Sequence, residues 1–336
     1  KRNGGITYIN PRGNMTRRLT NATFVAWLKS CAKKKDLYNG ERLHRDILER
    51  QLLENSPYLA SSLIDMYTKC GEITKAQKVL EELHVREVVS WNALITGYVQ
   101  QGQGHQALDS FERMRSEGIS ADAITFTCML KACGSIGTIE KGKQIHDEIV
   151  SRGLLEKDIV LGNALIDMYA KSGALSKAQD VFDEIPVRDT VSWTLLIAGY
   201  AEHGCVEEAL QCFEEMQHEG LFPNAITFIY IIKACGDFGM SGKGQLIHDE
   251  IVRCGFLEKD SELGTALVNM YSKCGLPEKA QDIFNNLKVW NIVSWNAIIS
   301  GYALCGMELV AFNKFNKMLE QGIKPTSATF TILLNT

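Results

Sequence analysis

Apolar residues recur at helical spacing along the whole chain. Trp91, Leu94, Ile95 and Tyr98 stand at i, i+3, i+4 and i+7, and Phe126, Met129, Leu130 and Cys133 repeat the pattern, as in a helix with one apolar face. A second stripe follows each first one, carried by Ala107, Leu108, Phe111 and Met114 in one place and by Ala178, Val181 and Phe182 in another. Gly102 and Gly104 lie between two such stripes, and Gly118 stands where the second should stop, positions at which glycine ends helices. The unit is therefore a helical hairpin. No stretch alternates with period two, and no glycine-rich phosphate loop follows a strand, which argues against an α/β enzyme.

The hairpins repeat. Trp91, Trp193 and Trp295 are 102 residues apart, as are Cys31, Cys133 and Cys235, and His44, His146 and His248. Each block of 102 divides into segments of 36, 31 and 35 residues. The 36-residue segments are 21–56, 123–158 and 225–260; the 31-residue ones are 57–87, 159–189 and 261–291; the 35-residue ones are 88–122, 190–224 and 292–326. Residues 327–336 begin a tenth repeat, and residues 1–20 form a basic segment outside the period, with Arg12, Arg17 and Arg18. One hairpin cannot bury its apolar face alone, so neighbours must stack, and the expected fold is an all-α solenoid, a superhelix of helical hairpins.

Charge and cysteines narrow the chemistry. The net charge is −4, yet the first fifty residues carry 12 Lys and Arg against 4 Asp and Glu, leaving −12 on the rest. That is not the uniformly basic surface of a general nucleic-acid binder. The 10 cysteines include no C-x-x-C pair and are expected to be reduced core residues. No apolar run is long enough to span a bilayer, so no membrane partner is expected. The chain opens on Lys1 and is expected to be a fragment or a processed form. His146-Asp147-Glu148 and His248-Asp249-Glu250 match half of a zinc deaminase signature, but the P-C-x-x-C half is absent. The acidic pairs Glu81-Glu82, Glu207-Glu208 and Glu214-Glu215 are expected on exposed helix faces rather than around a metal. No enzyme activity, metal or cofactor is expected.

The string Val89-Ser90-Trp91-Asn92-Ala93-Leu94-Ile95, the string from Gly162 to Lys171 and the 36/31/35 alternation resemble the pentatricopeptide repeat proteins of the PLS class over residues 21–336. A tetratricopeptide array would instead hold a 34-residue period with W-x2-L-G-x2-Y. The resemblance implies a mitochondrial or plastid protein that binds single-stranded RNA, one nucleotide per repeat, through the fifth and last residues of each repeat. Here those pairs are Ser61/Glu87, Asn92/Asp122, Thr127/Asp158, Asn163/Asp189, Thr194/Asn224, Ile229/Asp260, Thr265/Asn291 and Asn296/Thr326. Asn with Asp implies uracil and Thr with Asn implies adenine, while Val25, Thr127 and Ile229 mark the 36-residue repeats as poor readers. The implied site is 5′-NNUNUANAY-3′. Lys69, Lys171 and Lys273, thirteenth in the 31-residue repeats, match the family's phosphate contact.

Helix geometry bears on these positions independently. At ~100° per residue, the fifth residue lies roughly 100° and the second roughly 160° from the Trp-centred stripe, so both are expected to avoid the core. Thr194 and Asn224 are accordingly expected to face solvent. The second residues Val89, Ile124, Val160, Val191, Ile226 and Val293 are apolar where water should be, which suits wedges against the flat side of a base. Glu262 interrupts that series and marks repeat 261–291 as a weak reader. The functional expectation is the recognition array of an organellar C-to-U editing factor or other RNA-processing factor, with accessory proteins or a deaminase domain outside these residues. A protein-interaction scaffold of tetratricopeptide type is the alternative, and a peptide groove has no need of the Asn/Asp and Thr/Asn pairs.

Overall fold

The computed structural model describes residues 8–9, 15–16, 20–53, 56–257 and 260–334. Outside the period, β1 (Tyr8–Ile9) pairs antiparallel with β2 (Met15–Thr16), Tyr8 opposite Thr16. Arg12, Arg17 and Arg18 lie outside the described residues. All else that is regular is helical, and the chain divides into two compact units, Lys1–Met168 and Tyr169–Thr336. The first holds α1 (Asn21–Lys34), α2 (Leu37–Glu49), α3 (Pro57–Lys69), α4 (Ile73–Glu82), α5 (Val88–Gln100), α6 (Gly104–Ser116), α7 (Ala123–Ile136) and α8 (Ile139–Ser151). The division falls within α9 (Ile159–Lys171). The second unit continues with α10 (Leu175–Glu184), α11 (Thr190–Glu202), α12 (Val206–His218), α13 (Ala225–Asp237), α14 (Ser241–Arg253), α15 (Ser261–Lys273), α16 (Pro277–Asn286), α17 (Ile292–Leu304), α18 (Glu308–Glu320) and α19 (Ser327–Leu334).

The odd-numbered helices open at the residues where the 36/31/35 division cuts the chain, and for most of the later ones the residue before the helix is a good N-cap. The Asp122, Asp189 and Asn224 side chains accept the backbone N–H three residues on, from Thr125, Ser192 and Thr227, and Asn291 accepts that of Ser294. In all four the hydroxyl of that third residue accepts the cap's own N–H, closing a capping box. At the other ends Gly102 and Gly118 take the left-handed conformation, φ 71° and 77°, which a side chain would strain. Gly104 differs from the expectation. It opens α6 rather than lying between helices, and a Cβ there would stand 2.6 Å from Ile136 Cγ2, so it is a close-packing glycine.

Within each unit the odd helices lie side by side, and even helices such as α2, α4, α6, α12, α14 and α16 pack on the odd helix of their own hairpin and on the next one. This is solenoid packing. An odd helix thus has neighbours on three sides, not one. In α5 Ser90, Trp91, Asn92, Leu94, Ile95, Gly97 and Tyr98 are all buried, and Trp91, Trp193 and Trp295 are 0–3% exposed. The Phe182 ring meets Trp193 edge-on at 4.6 Å, and Phe284 meets Trp295 at 4.8 Å. The acidic pairs of α4 and α12 are exposed on the outer faces of these even helices, as expected. No helix among the described residues is long and apolar enough to cross a membrane.

Candidate nucleic-acid interface

The second residue of a repeat sits in the first turn of an odd helix, next to the cap. Ile124, Val160, Val191, Ile226 and Val293 are 49–60% exposed, while Val89 is half-buried. Single exposed aliphatics are unremarkable on a protein surface; these recur at one place on the helix in successive hairpins from α7 to α13 and again in α17, with Glu262 in their place on α15. A flat apolar surface lying against them would bury what the fold leaves open.

Beside them the fifth and last residues are organised by hydrogen bonds that cross between repeats. Asn92 Nδ2 donates to both carboxylate oxygens of Asp122, at 2.9 and 3.1 Å, and the Thr125 hydroxyl shares its one proton between Asn92 Oδ1 at 2.7 Å and Asp122 Oδ1 at 2.9 Å. The carboxylate sets the amide orientation, since the flipped amide would turn its oxygen onto a negative charge. One N–H of the amide and a second lone pair on Oδ1 remain. In the second unit Thr194 Oγ1 lies 2.6 Å from Thr190 O and 2.7 Å from Thr227 Oγ1, and Thr227 in turn bonds Asn224 through its N–H at 3.0 Å and its hydroxyl at 3.2 Å. At the last pair the Thr329 hydroxyl donates to Asn296 Oδ1 at 2.8 Å and accepts the Thr326 N–H at 3.1 Å.

The expectation that the fifth residue avoids the core is overturned. Asn92 and Thr194 are only 6% and 7% exposed, and Thr265 8%. A single Trp-centred stripe ignores the flanking odd helices, which cover the fifth residue from the side. Asn224 is half-buried rather than solvent-facing, because capping the next helix draws its side chain down to the Thr227 N–H.

Several other fifth residues bond back into their own helix, and several other last residues cap the helix that follows. Ser61 and Thr127 turn their hydroxyls onto Tyr58 O and Ala123 O, and Thr265 turns onto Ser261 O. Glu87 is exposed. Asp158 accepts the Val160 N–H at 2.9 Å, Asp260 those of Glu262 and Leu263, and Asn291 those of Val293 and Ser294. Asn163 is half-buried on α9, and Asp189 caps α11. Lys69, Lys171 and Lys273 are exposed. Lys69 pairs with Asp65 at 2.8 Å and Lys273 with Asp237 at 2.5 Å, surface pairs worth about 0–1 kcal/mol and so readily exchanged for a phosphate.

The third residues Thr125, Thr227 and Thr329 were missing from the sequence-based set. Their signal is the spacing Asp122-x-x-Thr125 and Asn224-x-x-Thr227, a capping pattern with acceptor and hydroxyl exchanged. The candidate chemistry elsewhere resolves into packing. His44 Nδ1 lies 2.8 Å from Tyr67 Oη and His248 Nδ1 3.0 Å from Tyr271 Oη. Burial lowers both imidazole pKa values and pushes both phenols up to about 12. Among the described residues no three His, Cys, Asp or Glu side chains group as a metal site. All ten cysteines are free thiols, and burial pushes Cys212 up to about 12 and Cys235 to about 11, which makes them inert.

Stacked hairpins, most with an exposed aliphatic in the first turn and several with a polar pair tied to a helix cap, define a helical repeat protein with a modular surface. The family model described as the PPR repeat family matches residues 86–135, 188–237 and 290–336, and that of the PPR repeat matches 59–88, 124–154, 163–189 and 265–292. The chain belongs to the pentatricopeptide repeat family. It is 35% identical to pentatricopeptide repeat-containing protein At3g09040, mitochondrial, of Arabidopsis thaliana, over 94% of this chain and 30% of that protein. It is also 35% identical to pentatricopeptide repeat-containing protein CRR2, chloroplastic, of the same plant, over 93% of this chain and 48% of that protein. The chain thus spans about a third to a half of these relatives. Among solved structures, the pentatricopeptide repeat protein PPR10 in complex with an 18-nt psaJ RNA element has the same fold, with a TM-score of 0.73 at 20% identity over 88% of this chain and 44% of that one. The crystal structure of the pentatricopeptide repeat protein PPR10 from maize matches with a TM-score of 0.58 at 19% identity, over 95% of this chain and 52% of that one.

Proposed function

We propose that the chain is the sequence-reading array of an organellar RNA-processing factor of the PLS class. Its nine whole repeats at 21–326 bind single-stranded RNA one nucleotide per repeat. The observation that carries this reading is the Asn92–Asp122–Thr125 triad. It leaves one donor and one acceptor side by side on a pre-oriented amide, the complement of a uracil Watson–Crick edge, next to exposed aliphatics that can bear on base faces. Relatives named mitochondrial and chloroplastic support the compartment, and the RNA in the PPR10 complex supports the ligand class. With a net charge of −4 and three phosphate-facing lysines, affinity rests on base contacts more than on backbone charge. The array itself performs no chemistry. C-to-U editing is the preferred process, its catalytic step belonging to accessory proteins or to a deaminase domain outside residues 1–336.

Selection from a random single-stranded RNA pool tests this. Enrichment of 5′-NNUNUANAY-3′, with uracil, uracil and adenine at its third, fifth and sixth places, is the expected result. Recovery of no motif, or of one unrelated to the order of pairs, would overturn it and favour a protein scaffold.

A further inference from the structure

The fifth residues of the 35-residue repeats are gripped from outside their own repeat. Asn92, Thr194 and Asn296 each meet the hydroxyl of the third residue of the next repeat, Thr125, Thr227 and Thr329, at 2.7, 2.7 and 2.8 Å. All three threonines are fully buried, and their β-branching restricts the side-chain torsion. The same hydroxyls accept the backbone N–H of the last residue, Asp122, Asn224 or Thr326, so one atom ties both reading residues together. After the 36-residue repeats the third residue is instead Leu161 or Leu263, each fully buried, and the Thr127 hydroxyl folds back onto Ala123 O. After repeat 261–291 it is Ser294, whose hydroxyl donates to Asn291 O rather than to Thr265.

We propose that Thr125, Thr227 and Thr329 are specificity-positioning residues: the base preference of a 35-residue repeat is set partly by the repeat downstream. The inference rests on base reading by these repeats. It also places the cause of weak reading by repeat 123–158 in its neighbour's leucine as well as in its own fifth residue. A hydroxyl that donates to Asn92 Oδ1 uses one lone pair and holds the other in the direction a base must approach. Without it the amide nitrogen keeps its Asp122 bonds, but the oxygen loses the contact that fixes where its free lone pair points.

Thr125→Val and Thr227→Val remove the hydroxyl at nearly constant shape. Affinities are measured for a matching RNA and for two RNAs altered at one nucleotide, uracil to adenine opposite repeat 88–122 or adenine to uracil opposite repeat 190–224. Wild type should discriminate by about tenfold at each place, the size of one base-edge contact set. Thr125→Val should reduce the first ratio to about twofold and leave the second intact, and Thr227→Val should do the reverse. Melting temperature and helicity are followed in parallel, and if one variant unfolds the other decides alone. Variants that bind more weakly or melt earlier while keeping both ratios would show a purely structural hydroxyl and overturn the inference. Absence of discrimination in the wild type would instead overturn base reading itself.

Discussion

The double substitution Thr194→Asn with Asn224→Asp rebuilds in the second unit the triad found at Asn92, Asp122 and Thr125. Thr194 is buried against Thr227, so the change is made in the packing between odd helices, not on an open surface. The new amide adds one heavy atom, and the equivalent site around Asn92 holds that atom at 6% exposure. Its oxygen would accept from Thr227 and its nitrogen would donate to the new carboxylate, a charge-assisted bond worth roughly twice a neutral one. The aspartate also keeps the cap on α13 and adds about 0.3–1 kcal/mol from the helix dipole. These gains offset the buried Thr194 hydroxyl bonds, about 1 kcal/mol each. The double variant should therefore melt within about 1 kcal/mol of wild type. Thr194→Asn alone should be the less stable, since its nitrogen would then meet only a neutral amide. In binding, the adenine preference opposite repeat 190–224 should be lost and a uracil preference gained, each about 1–3 kcal/mol. The assay is a pair of RNAs differing only at that nucleotide, compared at one salt concentration. If wild type and double variant rank the two RNAs identically, one-repeat, one-base reading is wrong for this chain.

Two further outcomes follow from the geometry. Val191→Asp places a charge on an exposed first-turn residue, so helicity should be retained while binding of a matching RNA weakens by about 1–3 kcal/mol; unchanged affinity would reduce Val191 to an ordinary surface residue. Burial lowers the His44 and His248 pKa values, so the folded state favours neutral imidazole and its stability is full above the unfolded value near ~6.5 and lost as the pH falls. Melting temperature should drop between about pH 7 and pH 5, more steeply in wild type than in His44→Gln/His248→Gln, and parallel curves would refute it.

The sequence alone determined the elements. The 102-residue spacing of Trp91, Trp193 and Trp295 and the glycines at 102 and 118 are local or strictly periodic signals, and a repeat array folds by local and nearest-neighbour contacts. The exposure of Ile124, Val191 and Val293 was legible for the same reason, because the side of the helix opposite its core stripe stays open in this packing. Tertiary structure decided the rest. Asn92 is buried because α3 and α7 flank α5 and close over it, and Thr194 because α13 packs on α11, and a single helix's periodicity carries no information about neighbours on its sides. The Thr125 hydroxyl reaches Asn92 across 33 residues of sequence, a contact set by how one hairpin seats on the next. Asp122 and Asn224 were legible as polar residues at a repeat's end. Only the packed hairpins show that each serves at once as a helix cap and as half of a polar pair, since both roles converge on one buried threonine.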